Sequence, residues 1–340
     1  MKDESAGGVP GRCEVCGLGE PVASHVATEM MFGMGGSFEY RECGNCGSLA
    51  LADVPSGLGD YYPQEYYSFM AGGGPSPRAP VEGVRRAAMR VVASGETAAR
   101  LVVRGARAVG VQVEPWVQVL GGSGIGPQAA VLDIGCGAGR RLRRLRRYGF
   151  RNLTGIDAHL PGSVASKDET VLLKATPQEV GGQFDLVMFH HSLEHMESPV
   201  EVLEAALGLL RPSGMVLVRV PLVGAQAWRT YGVHWVQLDA PRHIFLFSAR
   251  GIDLLAERSG FAVTKVIYDS TSFQFWGSEQ YRRGIPLRDP SRPEVAPSPM
   301  FSASDLSDFD RRARELNAKQ DGDQAVFVLR RRTEVERSVQ

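Results

Sequence analysis

Short apolar runs alternate with amphipathic segments from about residue 129 onward, and this alternation is the first structural signal in the chain. The runs AAVLDIG, NLTGID, TVLLKA, FDLVMF and MVLVRV have the length and apolar character of buried strands. Helical patterns stand between several of them, as in GRRLRRLRRYG and PVEVLEAALGLL. Such alternation predicts βαβ units and a parallel sheet covered on both faces by helices. We therefore expect a doubly wound α/β fold.

The same patterns divide the chain into regions. A helix at 249–258 precedes the strand FAVTKVIYD, and QAVFVLRR forms the last strand. The residues between those two strands, 270–323, are too many for a turn and are interpreted as a functional or mobile insertion. The fold expected is a Rossmann-like, seven-stranded, mostly parallel sheet. Two CxxC pairs, CEVC at 13–16 and CGNC at 43–46, predict a small zinc-ribbon-like module in front of it. The expected regions are a zinc-binding module at 1–70, a linker with basic amphipathic helices at 71–128, the α/β domain at 129–332 and a tail at 333–340.

Composition argues against several classes of partner. Lysine plus arginine equals aspartate plus glutamate, 38 of each, so no overall field attracts nucleic acid or an anionic membrane surface. The first residues, MKDESAGGVPGRCEV, lack the apolar core of a signal peptide, and no run approaches the roughly 18 apolar residues of a membrane span. We expect a soluble, cytoplasmic protein whose five cysteines are reduced, and its partners must be inferred from local motifs. The oligomeric state is left open.

Two CxxC pairs mark the N-terminal module as a candidate metal site. Cys13 with Cys16 and Cys43 with Cys46 supply four thiols, and a glycine after each pair lets the chain turn around an ion. The spacing predicts a structural, tetrahedral zinc site, whereas two redox motifs or reduced structural thiols are the alternatives. Acidic residues outnumber basic ones in the module. We therefore expect a structural, substrate-covering or protein-contact role and no binding of nucleic acid.

A glycine loop followed by an acidic residue predicts a nucleoside site. VLDIGCGAGR places Gly135, Gly137 and Gly139 between an apolar strand and a helix, where a ligand can approach the backbone closely. Asp157 ends the next strand, 22 residues after Gly135, in a position to accept hydrogen bonds from ribose hydroxyls. The dinucleotide pattern GxGxxG would need a glycine where Arg140 stands, which disfavours NAD.

These motifs resemble those of the class I S-adenosylmethionine (SAM)-dependent methyltransferases. The glycine loop, Asp157, the FDLVMF strand and LLRPSGMVLV come in the order of that family, and the resemblance implies SAM as cofactor. The chain departs from the family after the third strand, where KATPQEV supplies no acid and Ala175, Thr176 or Gln178 would contact adenine. Cys136 is expected to be a small packed residue and not a nucleophile. The residues expected to contact SAM are Asp133, Gly135, Cys136, Gly137, Gly139, Asp157, Ala158, Ala175, Thr176 and His190.

The segment HHSLEHM, 190–196, follows the fourth strand and should face the cofactor cleft. In one interpretation His195 or His191 removes a proton from a substrate hydroxyl. In a second, His191, Glu194 and His195 hold zinc or another transition ion that acidifies this hydroxyl. In a third, the segment only forms a polar turn. It is similar to the ExxEH arrangement of quinone-pathway O-methyltransferases, which is associated with a divalent ion, but His191 replaces the first acid.

A polar and aromatic segment downstream of the fifth strand is the expected acceptor site. Aromatic faces combined with hydrogen-bonding edges are typical of pockets for sugars and other small molecules. A packed loop covering the sheet is the alternative. The candidate substrate residues are Trp228, Tyr231, His234, Trp235, Arg242 and His243.

The whole chain resembles bacterial methyltransferases of sugar and polysaccharide biosynthesis, through its CxxC module, its methyltransferase core and HWVQLDAPRHIFLFS. That resemblance implies methyl transfer to a sugar, nucleotide sugar or glycosylated metabolite, with O-methylation favoured over C-methylation. O-methylation of a quinone, lipid or polyketide-type hydroxyl is the alternative reaction. An inactive SAM-binding scaffold that recruits a partner through its zinc module is an alternative of another class.

Overall fold

The computed structural model describes residues 12–63, 123–165, 170–288 and 295–332, with short pieces at 88–89, 95, 101–102, 104–105 and 119–121. The linker expected at 71–80, most of the basic helices expected up to residue 120 and the tail at 333–340 lie outside the described residues. Every candidate site residue is described.

Strands and helices are numbered here in chain order. The strands are β1 (Pro21–Thr28), β2 (Ser37–Cys43), β3 (Leu49–Leu51), β4 (Val131–Ile134), β5 (Leu153–Ile156), β6 (Val164–Ala165), β7 (Val171–Leu173), β8 (Phe184–His190), β9 (Leu210–Pro221), β10 (Phe245–Leu246), β11 (Phe261–Tyr268) and β12 (Gln324–Arg331). The helices are α1 (Arg140–Arg147), α2 (Pro199–Leu209), α3 (Gln226–Tyr231), α4 (Ala249–Arg258), α5 (Phe273–Arg282) and α6 (Ala303–Ala318).

The main sheet has the strand order β11-β12-β9-β8-β4-β5-β7-β6. β4 pairs in parallel with β5 and β8, and the parallel set extends to β7 and β9. The last strand, β12, lies antiparallel between β9 and β11. The expected Rossmann-like, seven-stranded, mostly parallel sheet is confirmed, and the two-residue β6 adds an antiparallel edge. Because β5 and β8 flank β4, the carboxyl ends of these three strands lie together, where such sheets bind ligands.

The helices have the first-turn and capping residues and the buried apolar side chains that their sequences predict. α2 begins at Pro199, which suits the first helical turn because the amide it lacks would have no partner there. α4 is capped by Ser248, whose hydroxyl oxygen accepts the Gly251 amide at 2.8 Å. α1 buries Leu142 and Leu145, the apolar stripe of RRLRRLRR. In the described part of the chain, no helix is long and apolar enough to cross a membrane.

The segment expected as an insertion contains α5 and α6, which lie between β11 and β12 in the chain. The two helices pack through Phe275 and Phe309, whose stacked rings have centroids 5.5 Å apart. Arg312 lies over the Phe275 ring, 4.2 Å from its centroid. The described part of the insertion is thus a helical pair with its own aromatic contact.

The N-terminal sheet is completed by a strand of the α/β domain. β1, β2 and β3 form an antiparallel sheet, and β10 pairs with β3 as its fourth strand, with Leu246 opposite Leu49 and Phe245 opposite Ala50. Leu49, Phe245 and Tyr40 belong to one continuous buried core that extends under the main sheet. The module and the α/β domain therefore share an interior.

This shared core leads to a stability prediction. Leu49→Ala should lower the free energy of unfolding by about 2 to 5 kcal/mol, because truncating a buried leucine leaves a cavity. Urea unfolding followed by both tryptophan fluorescence and circular dichroism should show a single transition at lower urea concentration. Leu18→Ala, at a residue that is 61% exposed, is the control and should change little. Two separate transitions, only one of them displaced, would show that the module unfolds independently.

Candidate functional site

The four cysteines of the two CxxC pairs meet in one cluster. Cys13 Sγ lies 3.8 Å from Cys46 Sγ, Cys16 Sγ lies 3.7 Å from Cys43 Sγ, and all four sulfurs are within 4.8 Å of one another. A zinc ion bound tetrahedrally at about 2.3 Å from each sulfur would separate the sulfurs by about 3.8 Å. The cluster therefore fits zinc, and its sulfurs are too far apart for disulfide bonds.

The two knuckles of the cluster turn in the same way. The Gly17 amide donates to the Cys13 carbonyl at 2.7 Å, and the Gly47 amide donates to the Cys43 carbonyl at 2.8 Å. The two glycines have φ values of 72° and 71°, which glycine adopts without steric cost. The glycine after each pair thus closes the turn that brings both thiols of the pair to one side.

The glycine loop connects β4 to α1 at the carboxyl edge of the sheet. Gly135 has a φ of 73°, and a Cβ at this position would lie 2.4 Å from the Cβ of Ser192. The Gly137 amide donates to Asp157 Oδ2 at 2.9 Å, which ties the loop to the end of β5. Gly139, also at positive φ, is the residue that precedes α1. The loop and its acidic partner therefore lie together at the point where ligands of such sheets bind.

Next to the loop in the chain or in space, Asp133 is buried, and Cys136 and His190 are half-buried. Burial raises the pKa of the Asp133 carboxyl in β4 to about 7. Cys136 packs against β5, with its Sγ only 2.7 Å from the place that a Cβ on Gly155 would occupy. Burial also raises the pKa of the Cys136 thiol, so this cysteine lacks the thiolate character of a nucleophile. His190 ends β8, with Nε2 3.5 Å from Nη1 of Arg219.

The other residues expected to contact SAM lie beyond β5 and β7. Ala158 is exposed in the turn after β5. Thr176 is engaged locally, because its amide and its hydroxyl both donate to Glu179 Oε2, at 2.8 and 3.0 Å. Ala175 lines an open cleft of about 490 Å³ together with Leu173. Contact of these residues with adenine stays a prediction.

The HHSLEHM segment folds back onto the glycine loop. The Ser192 hydroxyl donates to the Ile134 carbonyl at 2.7 Å, and the residues Leu193–His195 form a 3-10 turn. Met196 Cε lies 3.7 Å from the position of a Cβ at Gly135. The candidate reactive side chains therefore stand on a turn that is packed directly against the loop.

His191 is engaged at both ring nitrogens. Nε2 accepts a hydrogen bond from Arg219 Nη1, since an arginine can only donate. Nδ1 of the neutral ring then carries the proton and donates to Glu194 Oε1 at 3.3 Å. The backbone has a φ of 51°, in the left-handed region that few residues other than glycine adopt. With both nitrogens occupied, His191 is the weaker of the two candidate bases.

Among the described residues, Nε2 of the His195 ring has no hydrogen-bond partner, and this nitrogen is called open here. Nδ1 donates to the Arg242 carbonyl oxygen at 2.8 Å, so Nε2 of the neutral ring holds the lone pair. Burial lowers the pKa of His195 to about 3, and the ring is therefore neutral at physiological pH. The Tyr62 hydroxyl approaches the same carbonyl at 3.4 Å. A neutral imidazole with an unprotonated Nε2 is the form that can accept a proton.

Glu194, His195 and His243 place three potential ligand atoms within 4.8 Å of one another. His243 Nδ1 donates to the Gln237 carbonyl at 2.8 Å, so carbonyl groups orient both histidines as they do in many metal sites. In the described part of the chain, Oε2 of the buried Glu194 has no hydrogen-bond partner, and burial raises the pKa of this carboxyl to about 8. These donors fit a transition ion such as zinc. The sequence suggested His191, Glu194 and His195 as ligands. In the structure His191 is bound to Arg219, and His243 is the third potential ligand in its place.

Three of the candidate acceptor residues bind other protein groups. Trp228 meets His25 edge-on, with ring centroids 5.0 Å apart. Tyr231 donates its hydroxyl to a glutamate of α5 at 3.1 Å. Trp235 is fully buried, and its Nε1 donates to Asp323 Oδ2 at 2.9 Å. The contacts of these three aromatic side chains are to other protein groups, and their contact with an acceptor stays a prediction.

The other three candidates are divided between the site and the surface. His243 lies beside His195, with ring centroids 4.7 Å apart. Arg242 contacts the same ring through its carbonyl, whereas its fully buried guanidinium pairs with Glu29 at 2.7 Å. His234 is exposed on a short 3-10 turn. Of the six candidates, the contacts therefore place His243 and the backbone of Arg242 next to the candidate base.

Three further residues of the site, Arg219, Glu29 and Tyr62, belong to none of the site motifs found in the sequence. Arg219 donates from Nε to Asp269 Oδ2 at 2.7 Å, across 50 residues of chain. Glu29 reaches Arg242 across 213 residues, and the Tyr62 hydroxyl lies 3.2 Å from a ring nitrogen of the candidate base 133 residues away. The position of Arg219 late in the fifth parallel strand was the one available indication, because it places the side chain near the carboxyl edge.

Comparison with known proteins adds to this geometry. Residues 107–266 match the family model described as a methyltransferase domain. The chain is 33% identical over 99 residues to the ubiquinone biosynthesis O-methyltransferase of Pseudomonas aeruginosa (strain UCBPP-PA14), over 26% of this chain and 42% of that protein. It is 29% identical over 161 residues to the protein of that name from Roseobacter denitrificans, over 40% of this chain and 64% of that protein. The chain thus spans less than two thirds of the length of these relatives.

Among solved structures, the chain is similar to 1,6-didemethyltoxoflavin-N1-methyltransferase from Burkholderia thailandensis, with 14% identity and a TM-score of 0.40 over 87% of this chain and 96% of that one. The family match, the strand order and the glycine loop with its acid together identify a class I SAM-dependent methyltransferase domain. This class was expected from the sequence and is confirmed.

The geometry of the glycine loop predicts the effect of one added methyl group. Gly135→Ala should weaken SAM binding roughly 5- to 150-fold, because a left-handed φ and contact with Ser192 cost roughly 1 to 3 kcal/mol and displace the loop. Titration calorimetry with SAM measures this change. Gly208→Ala, at an exposed helical position with open space around it, is the control. Unchanged affinity in Gly135→Ala would show that SAM does not depend on the shape of this loop.

Metal content tests both candidate ion sites. We expect one zinc ion per purified chain, and Cys16→Ala should lose it because three thiols no longer complete the tetrahedral set. Cys136→Ala, which alters the fifth cysteine, should retain the ion. A second ion that persists in Cys16→Ala and disappears in His243→Gln would identify the Glu194 cluster as a metal site. Wild-type protein without zinc, purified in the absence of chelators, would contradict the first expectation.

Proposed function

We propose that this chain transfers the methyl group of SAM to a hydroxyl oxygen of a small molecule, and that the preferred acceptor is a phenolic hydroxyl. The observation that carries the proposal is the open Nε2 of His195. This nitrogen belongs to a neutral ring on a turn that packs against the glycine loop. Curated relatives named ubiquinone biosynthesis O-methyltransferase support the same type of reaction.

The proposed mechanism assigns a role to each part of the site. SAM, when bound, supplies a methyl group on a cationic sulfur that an acceptor oxygen can attack in line. Asp157 and the amides of the glycine loop hold the nucleoside, and positioning of the two reactants provides much of the rate. His195 Nε2 takes the hydroxyl proton as the oxygen attacks. The hydrogen bond from Nδ1 to the Arg242 carbonyl keeps the ring oriented while it becomes cationic.

The acceptor classes are ranked by the acidity of their hydroxyl groups. Burial lowers the pKa of His195 to about 3, so the ring is a weak base, and a phenol gives up its proton to any base more readily than a sugar alcohol does. The sugar acceptor expected from the sequence depended on an aromatic pocket, yet Trp235 is fully buried and Tyr231 is bound to α5. A phenolic acceptor is therefore ranked first, and a sugar or nucleotide sugar is kept as the alternative.

A metal-assisted reaction is the second candidate mechanism. It is supported by Oε2 of Glu194, which has no hydrogen-bond partner in the described part of the chain, and by one ring nitrogen each of His195 and His243 within 4.8 Å of a Glu194 carboxylate oxygen. An ion held by these residues would acidify the acceptor hydroxyl and so supply the activation that a weak base provides poorly. The two mechanisms share the cofactor site and differ in the role of His243.

Product analysis tests the proposed activity. The protein is incubated with SAM and a panel of catechols, hydroquinones and nucleotide sugars, and the products are identified by mass spectrometry. We expect a singly methylated phenol together with S-adenosylhomocysteine. If nucleotide sugars are methylated and phenols are not, the acceptor is a sugar and the proposed phenolic class is wrong. Tight SAM binding without S-adenosylhomocysteine from any acceptor would favour the alternative of an inactive scaffold.

Histidine variants separate the mechanisms. His195→Gln should lower kcat roughly 10² to 10⁴-fold, since it removes the proton acceptor, while SAM affinity stays unchanged. His234→Gln, which changes an exposed histidine, should be fully active. His243→Gln should keep most of its turnover if His195 acts as a base, and should lose it if an ion is required. If His195→Gln has the kcat of wild type, the HHSLEHM segment has only a structural role.

A further inference from the structure

The N-terminal module holds the segment that contacts His195. Oε1 of Glu29 lies 2.7 Å from Nη2 of Arg242, and both side chains are fully buried. The Tyr40 hydroxyl, also buried, donates to the carbonyl oxygen of His243 at 2.8 Å. Glu29 thus binds the side chain of Arg242, and Tyr40 binds the backbone of the next residue, His243.

The guanidinium of Arg242 joins three parts of the chain. Its Nε and Nη2 donate to Asp239 at 3.1 and 2.6 Å, and Nη1 donates to the Tyr61 carbonyl at 3.0 Å. Nη2 also donates to Glu29. Since a planar guanidinium presents its donors in a rigid fork, these bonds together determine where the Arg242 side chain lies.

Glu29 is itself held in place. Its carboxylate accepts the amide of Phe32 at 3.0 Å and the amide of Met34 at 2.8 Å, so it closes a turn of the module between β1 and β2. A carboxylate that is bound to backbone amides on one side and to an arginine on the other has little freedom to move. The position of this turn therefore determines where the Glu29 carboxylate meets Arg242.

The Arg242 carbonyl is the group that orients the candidate base. It accepts the Nδ1 proton of His195 at 2.8 Å and so directs Nε2 to the opposite side of the ring. We propose that Glu29 and Tyr40 are positioning residues for methyl transfer, which fix the backbone at Arg242 and His243 so that Nε2 of His195 faces the acceptor. The inference rests on the proposed function, in which Nε2 is the reacting atom.

The size of the expected effect follows from the geometry of reaction. A misplacement of about 1 Å from a remote substitution can lower turnover by about 10²-fold, because the reacting atoms must be aligned. Loss of one of two anchors should displace the carbonyl by less than that. We expect kcat to fall roughly tenfold in Glu29→Gln and severalfold in Tyr40→Phe, with SAM affinity and the acceptor KM within twofold of wild type.

Two measurements on the full-length zinc-loaded protein test the proposal. Steady-state kinetics with the best acceptor separates kcat from KM, and nitrogen-15 spectra of histidine-labelled protein report which ring nitrogen of His195 carries the proton. Glu39→Gln is the matched control, because it neutralises an exposed carboxylate of the same module whose described contacts are local, to Ser24 and Arg41. The His195 signals are assigned by their absence in His195→Gln.

The proposal expects the Nδ1-protonated form of His195 in wild type and in Glu39→Gln, and a mixture of the two tautomers in both anchor variants. Folded anchor variants that keep the wild-type tautomer and kcat would overturn it, since Glu29 and Tyr40 would then only stabilise the fold. If Glu29→Gln does not fold, Tyr40→Phe, which removes one hydroxyl, decides the question. Because the spectra need no turnover, they also test the proposal in a protein that methylates no acceptor. Failure of the proposed function is a different observation, namely that wild-type protein forms no methylated product.

Discussion

The buried ion pair between Glu29 and Arg242 is the interaction on which the arrangement of the candidate site depends. It connects the N-terminal module to the residue whose carbonyl orients His195, and no water reaches either side chain. Removing Arg242 would leave the buried carboxylates of Glu29 and Asp239 without their common partner, at a cost of about 3 to 5 kcal/mol, whereas removing Glu29 leaves Arg242 paired with Asp239. Together with the pairing of β3 and β10, the ion pair makes the module a structural part of the methyltransferase domain.

Much of the fold could be predicted because its signals are local. Apolar runs of strand length, separated by helical patterns, indicated the parallel strands and the reversal of strand order around β4. Gly135 and Asp157 follow neighbouring parallel strands, so their proximity is a consequence of the topology. The four cysteines come from two tight turns, and the spacing within each turn was sufficient to predict the cluster.

The rest of the site depends on contacts between distant segments, for which the sequence has no periodicity. Glu29 and Arg242 are 213 residues apart, and neither differs in type from an ordinary surface charge. Trp235 has the character of a binding residue, but a buried carboxylate, Asp323, accepts its indole N–H within the core. The engagement of His191 by Arg219 likewise depends on adjacent strands, and it leaves His195 and His243 as the described histidines that offer a ring nitrogen to the Glu194 cluster.

A structure of the protein with S-adenosylhomocysteine and a catechol bound tests the central claim most directly. The account predicts that the adenosine lies against the glycine loop with its ribose at Asp157. It also predicts that one catechol hydroxyl lies about 2.6 to 3.2 Å from Nε2 of His195, the distance that proton transfer requires. A catechol whose hydroxyls lie beyond the reach of this nitrogen, or an Nε2 bonded to another protein group, would contradict it.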